Sequence, residues 1–174
     1  MPCVRIRGKV SGPPMTRPRV YVETTILSYL TALPSRDLVR AAHQQVTVEW
    51  WAKRDDFSLF ISEAVLAEAR RGDPAAAARR LDAAGGLDVL AAVREAQCLA
   101  SELLRAAALP AKAAIDAVHV ALATVHGMDF LLTWNCAHIA NAIMRPRIES
   151  VCEANGFRAP VICTPEELVE QEKQ

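Results

Sequence analysis

Ala113-Ala-Ile-Asp-Ala-Val-His-Val-Ala-Leu-Ala-Thr-Val-His-Gly-Met-Asp-Phe-Leu-Leu-Thr133 is the stretch on which the reading of the fold turns. Its first part, rich in alanine and valine, reads as a helix running to His126, with Gly127 as its stop. Ile115, Val118, Leu122 and Val125 form the expected core stripe, with Asp116, His119 and Ala123 along its edge. Asp129 to Thr133 then reads as a short buried strand. A helix leading straight into such a strand is half of a βαβ unit.

The same alternation extends in both directions. Toward the N-terminus, Arg19-Val-Tyr-Val-Glu23 and Phe57-Ser-Leu-Phe-Ile61 are strand-like runs, and Leu87 to Leu90 is a shorter one. Between them, residues 24–33 form a short helix closed by Pro34. Ser35 is the expected N-cap of a helix with a stripe at Val39, Ala42, Val46 and Trp50. Ser62 caps a helix that runs to Gly72, Gly72-Asp73-Pro74 turns the chain, and an alanine-rich helix follows to about Ala84. A longer helix covers roughly 92–107. Toward the C-terminus, helices are expected near 137–144 and 146–155, then a strand at Val161-Ile-Cys163. Thr164-Pro165-Glu166-Glu167 opens a final helix with a capping box. The expectation is an α/β chain, a three-layer α/β/α sandwich with a mostly parallel central sheet.

Composition agrees with one domain over 17–172 of the 174 residues, with 52% apolar and only 5% aromatic residues. Residues 1–16 read as a flexible or misassigned extension without the apolar stretch of a secretory signal. Lysine plus arginine equals aspartate plus glutamate, 20 against 20. Binding of nucleic acid by bulk positive charge is therefore excluded, and any such contact is local or bridged by metal. Cysteines at 3, 98, 136, 152 and 163 form no CxxC pair. They suggest neither a disulfide framework nor a four-cysteine zinc site, but idle thiols in a reducing cytoplasm. No apolar run is long enough for a membrane span.

In open α/β sheets, ligands bind beyond the carboxyl ends of the strands, and four polar residues fall there. Glu23 ends the first strand, where a charge is costly unless solvated, paired or bound to metal. Glu68 follows the second strand on a helix face shared with Ala64 and Val65, whereas Glu63 sits in the first turn, where the helix dipole explains an acid. Asp116 stands early in a very apolar helix, and Asn135 follows the strand Leu131-Leu-Thr133. Each has a plainer reading: a solvated strand end, an arginine-paired boundary glutamate, a dipole-stabilised aspartate and a turn asparagine. Taken together, three converging carboxylates repel one another unless cations intervene. Mg²⁺ or Mn²⁺ answers that need with oxygen ligands, and can activate water against a phosphodiester.

The segments Val20-Tyr-Val-Glu-Thr-Thr-Ile-Leu-Ser-Tyr29, Ile61-Ser-Glu-Ala-Val-Leu-Ala-Glu68, Ile115-Asp-Ala-Val-His-Val-Ala-Leu-Ala123 and Leu131-Leu-Thr-Trp-Asn-Cys-Ala-His138 resemble, in order, the PIN domain. The resemblance is in particular to VapC-like toxin ribonucleases of type II toxin–antitoxin systems. It implies a metal-dependent endoribonuclease using water as nucleophile, with Glu23, Glu68 and Asp116 as catalytic metal ligands. It also implies an RNA substrate, inhibition by a small antitoxin protein, and often a homodimer. Two positions depart from the family pattern. Glu23 stands for the usual aspartate, and Asn135 for a fourth acid, making Asn135 a weaker or water-mediated ligand.

Further candidates around the site are Thr25 and Thr133, which can orient it, and Arg70 and Lys112, which can reach substrate phosphates. Arg71, Arg79 and Arg80 have the same potential, though most such arginines are solvated surface. Trp134 can stack on a base or pack in the core. His119 shares the helix edge with Asp116, and its commoner role would be a satisfied boundary histidine. His43, His126 and His138 match no zinc spacing. The alternative function is a PIN-fold module weakened in catalysis and kept for binding protein or RNA. A different phosphoesterase or nucleotide-binding protein would lack a seat for phosphate, because no GxGxxG or Walker loop occurs. Nothing in the residues separates RNA from DNA as the polymer cut.

Overall fold

The computed structural model describes residues 17–168, so the expected extension over 1–16 and the end of the expected domain at 169–172 lie outside the described residues. Five strands, β1 (Arg19–Val22), β2 (Ser58–Ser62), β3 (Asp88–Leu90), β4 (Phe130–Leu132) and β5 (Val161–Cys163), form one sheet in the order β3-β2-β1-β4-β5. Every pairing is parallel. Tyr21 in the middle of β1 lies opposite Phe60 on one side and Leu131 on the other. A parallel sheet needs cover on both faces, and its central strands become apolar without alternation. Val20, Tyr21, Val22, Leu131 and Leu132 accordingly expose no surface.

The helices are α1 (Thr24–Thr31), α2 (Leu38–Ala52), α3 (Glu63–Ala69), α4 (Pro74–Ala84), α5 (Arg94–Arg105), α6 (Ala114–Val125), α7 (Arg145–Ala154) and α8 (Pro165–Leu168). α5 packs on α6 and α7, while α1 packs on α2 and α4, and α2 also meets α8. The result is the α/β/α sandwich expected from the alternation, with an all-parallel sheet. None of the helices in the described residues is long and apolar enough to cross a membrane.

The strand order positions the site. From β1 the chain moves outward to β2 and β3, then returns to the other side of β1 with β4 and β5. The direction reverses between β1 and β4, and the helices leaving these two strands diverge to open a crevice at their carboxyl ends. Glu23 and Thr133, the residues that follow the two strands, face each other across that crevice. The backbone N–H of Glu23 donates to the Leu132 carbonyl at 3.1 Å.

Three local readings of the sequence give way to the structure. Residues 136–144 form turns in place of a helix. The Asn135 side chain accepts the His138 N–H at 3.1 Å, and the Asn141 side chain accepts the Ile143 N–H at 2.9 Å. Such side-chain bonds compete with the helical ladder. The cap of α2 is Asp37, whose Oδ1 accepts the Arg40 N–H at 2.9 Å, while the Ser35 hydroxyl accepts the Asp37 N–H. The buried face of α6 is also rotated from the expected stripe. Ile115 is exposed, whereas Asp116, His119, Val120 and Ala123 are buried. Covered by the sheet and by α5, the helix buries most of its surface and turns its polar pair inward.

Candidate metal centre

Glu23 leaves β1 and caps α1, and the residue is 4% exposed. One oxygen, Oε2, accepts the Thr25 N–H at 3.1 Å, the Thr133 hydroxyl at 2.8 Å and the Thr25 hydroxyl. Asp, Ser or Thr normally fills such a cap. Among the described residues, Oε1 accepts no hydrogen bond and so retains its lone pairs. Thr25 and Thr133 are thus tied to Glu23. The Thr25 hydroxyl also accepts the Trp134 N–H at 2.9 Å, and the Thr133 hydroxyl accepts the Asn135 N–H at 2.9 Å.

Glu68 comes from α3, whose start is fixed by Ser62 at the end of β2. Its Oε2 accepts the Thr24 hydroxyl at 2.6 Å and lies 2.9 Å from His119 Nε2. Burial acts to raise the Glu68 carboxyl, but the hydrogen bonds from His119 and Thr24 and the nearby charge of Arg71 prevail and hold it below its ordinary value. His119, buried on α6, places Nδ1 2.8 Å from the Tyr21 hydroxyl, which lies 2.7 Å from the Ser62 hydroxyl. Burial, with the charges of Glu23 and Glu68, pushes the Tyr21 phenol far up despite the bond to Ser62, so it stays a neutral hydroxyl.

Glu23, Glu68 and His119 each offer a ligand atom, and these atoms all lie within 4.8 Å of one another. They come from the end of β1, from α3 and from α6. Neither glutamate nor Asp116 is paired with a lysine or arginine among the described residues; histidines alone make ion-pair contacts there. Two carboxylates and an imidazole, held by neutral hydroxyls and short of cations, fit a divalent metal ion.

Asp116 is buried three residues before His119, and its Oδ2 stands 2.7 Å from His138 Nδ1. It is not one of the three grouped ligands. Asn135 is half-buried and spends Oδ1 on the His138 N–H, which shapes the turn. Arg70 and Lys112 are exposed, and neither makes a side-chain hydrogen bond among the described residues. Arg79 donates to the Thr31 carbonyl and Arg80 to those of Ala69 and Arg71, so both tie helix ends together. Trp134 stacks on His43 with ring centroids 4.0 Å apart and donates its indole N–H to Thr47 at 2.8 Å, which gives it to the core. The sequence does not single out Tyr21 or Thr24, and it marks Ser62 only as a helix cap and His138 only as a histidine outside any zinc spacing. An aromatic inside a strand reads as packing, and nothing local joins His138 to an aspartate 22 positions away.

No family model and no curated protein matches the chain.

Proposed function

We propose that the protein is a metal-dependent endoribonuclease of the PIN, VapC-like kind, acting on RNA at the crevice between β1 and β4. The observation that carries this reading is the meeting of Glu23, Glu68 and His119 within 4.8 Å at the carboxyl end of a parallel sheet. A resident Mg²⁺ or Mn²⁺ supplies the charge that polarises water and offsets charge building on the phosphodiester. The chain's own residues hold and shape that centre. Thr25 and Thr133 fix one oxygen of Glu23, leaving the other for a ligand. Thr24 and His119 hold Glu68 as a carboxylate. Asp116 adds a third negative group one turn of α6 from His119, with its rotamer set by His138. Exposed Arg70, two residues after Glu68, and exposed Lys112, four before Asp116, suit substrate phosphates. By the same resemblance, a small antitoxin would inhibit the enzyme, which would act as a homodimer in the cytoplasm.

A second reading has its own support. Asn135 is engaged in a turn and Asp116 with a histidine, as in a PIN fold that binds RNA or protein without cutting.

Cleavage of a mixed pool of structured and single-stranded RNA, with Mn²⁺, with Mg²⁺ and with EDTA, separates the two. Asp116→Asn is the matched control, because its carboxamide oxygen can still accept from His138 while the charge is lost. The expected outcome is metal-dependent cleavage that vanishes in Asp116→Asn, with the melting temperature little changed. Absence of cutting by a well-folded protein under every metal favours the binding module. Cleavage at the wild-type rate by Asp116→Asn removes Asp116 from the machinery.

A further inference from the structure

Oxygen ligands alone would make the centre equally suited to Mg²⁺ and Mn²⁺, but His119 changes the donor set. Its ring is 1% exposed and has a polar partner at each nitrogen. Nε2 faces Glu68 and belongs to the group of ligand atoms within 4.8 Å. Nδ1 faces the Tyr21 hydroxyl, and that hydroxyl faces Ser62, which also accepts the Val65 N–H. This is the arrangement of a metal-binding imidazole: one nitrogen toward the donors, the other fixed from behind by a second shell that sets ring orientation and tautomer. Tyr21 and Ser62 can each donate or accept, so the chain accommodates either tautomer of a neutral ring. In the pair with Glu68, Nε2 donates to the carboxylate; with the proton on Nδ1 instead, directed at Tyr21, the Nε2 lone pair would be free and a metal ion would replace that hydrogen bond. Asp116, the one acid of α6, is turned toward His138.

We propose that His119 is a nitrogen ligand of the metal centre, which makes the site selective for a first-row transition cation, Mn²⁺ in preference to Mg²⁺. The inference rests on the metal-centre reading above. First-row transition cations accept an imidazole nitrogen, Mn²⁺ least strongly among them, whereas Mg²⁺ is held by carboxylate, carbonyl and water oxygens. Tyr21 is then a positioning residue, acting on the metal through the ring it holds.

Pulsed electron paramagnetic resonance of the full chain loaded with Mn²⁺ reads nitrogen ligation directly. The wild type is expected to show the ¹⁴N modulation of a coordinated imidazole. His119→Gln is expected to lose it, and His138→Gln to keep it. Bound Mn²⁺ in the wild type is also expected to survive roughly a tenfold excess of Mg²⁺. Bound Mn²⁺ without nitrogen modulation overturns the assignment of His119 while leaving an all-oxygen metal centre standing. Modulation lost in His138→Gln overturns it as well. Failure of the wild type to bind Mn²⁺ overturns both the assignment and the metal centre beneath it. Should His119→Gln not fold, the wild-type and His138→Gln spectra still decide the matter, since a signal that persists without His138 leaves His119 as the only histidine in the grouped donors.

Discussion

Glu23 and Asn135 are the two residues at which the acidic set departs from the family it resembles, and the structure gives each a mechanical role. Glu23 spends one carboxylate oxygen on capping α1 and on accepting from Thr133 across the crevice, and still presents Oε1. Asn135 holds the turn that brings His138 to Asp116. A carboxylate oxygen could accept the same His138 N–H, so Asn135→Asp should keep the turn while adding a charge. The expected result is a lower Mg²⁺ concentration for half-maximal RNA cleavage, by several-fold, read from a metal titration of the initial rate. An unchanged midpoint would restrict Asn135 to the turn. At this scale Glu23 and Glu68 were legible in the sequence, Glu23 because a charge ending a buried run calls for an explanation, whereas Asp116 stands outside the grouped donors. His119 was not, because an imidazole on an apolar helix is more often satisfied packing.

Helix α6 shows what periodicity does and does not determine. A helix covered on several sides carries apolar residues nearly all round, so its stripe has no sharp edge and its rotation cannot be fixed by counting. Ile115 was therefore placed inside, and it is Asp116 and His119 that turn in. Capping chemistry placed some boundaries and missed others: Ser35 gives way to Asp37 at α2, while the starts of α3 and α4 fall where Ser62 and the Gly72-Asp73-Pro74 turn put them. Ser62 caps α3, accepting the Val65 N–H at 3.4 Å, and Asp73 caps α4, accepting the Ala76 N–H at 2.8 Å. The capping box expected at α8 forms its reciprocal half: Glu167 accepts the Thr164 N–H at 2.8 Å and the Thr164 hydroxyl at 3.1 Å. Burial acts to raise the Glu167 carboxyl, but the bonds from Thr164 and the charge of Arg145 prevail and lower it from its ordinary 4.5. A carboxyl lowered in the native state stabilises fully above its unfolded value and loses that contribution as pH falls through the native one. Denaturant unfolding of Glu167→Gln should therefore show a deficit against the wild type at pH 7 that shrinks below about pH 4.5. A deficit independent of pH would mean that Glu167 acts through packing and not through its charge.

At the scale of the whole molecule, a chain of zero net charge brings two of its acids, Glu23 and Glu68, together with His119 at one crevice. The alternation of strands and helices was readable because the strands of a parallel sheet are apolar runs separated by crossovers. Strand order was not, since burial patterns say which residues are inside and not which strand lies beside which. The order β3-β2-β1-β4-β5 does the decisive work, placing the ends of β1 and β4 side by side so that Glu23 meets Thr133, and α3 and α6 bring in Glu68 and His119. If that convergence is a metal centre, anomalous diffraction from a crystal of the protein soaked in Mn²⁺ shows a peak at coordination distance from the Glu23 and Glu68 carboxylates and from His119 Nε2. A map with no peak there, or with Mn²⁺ bound only elsewhere, would contradict it.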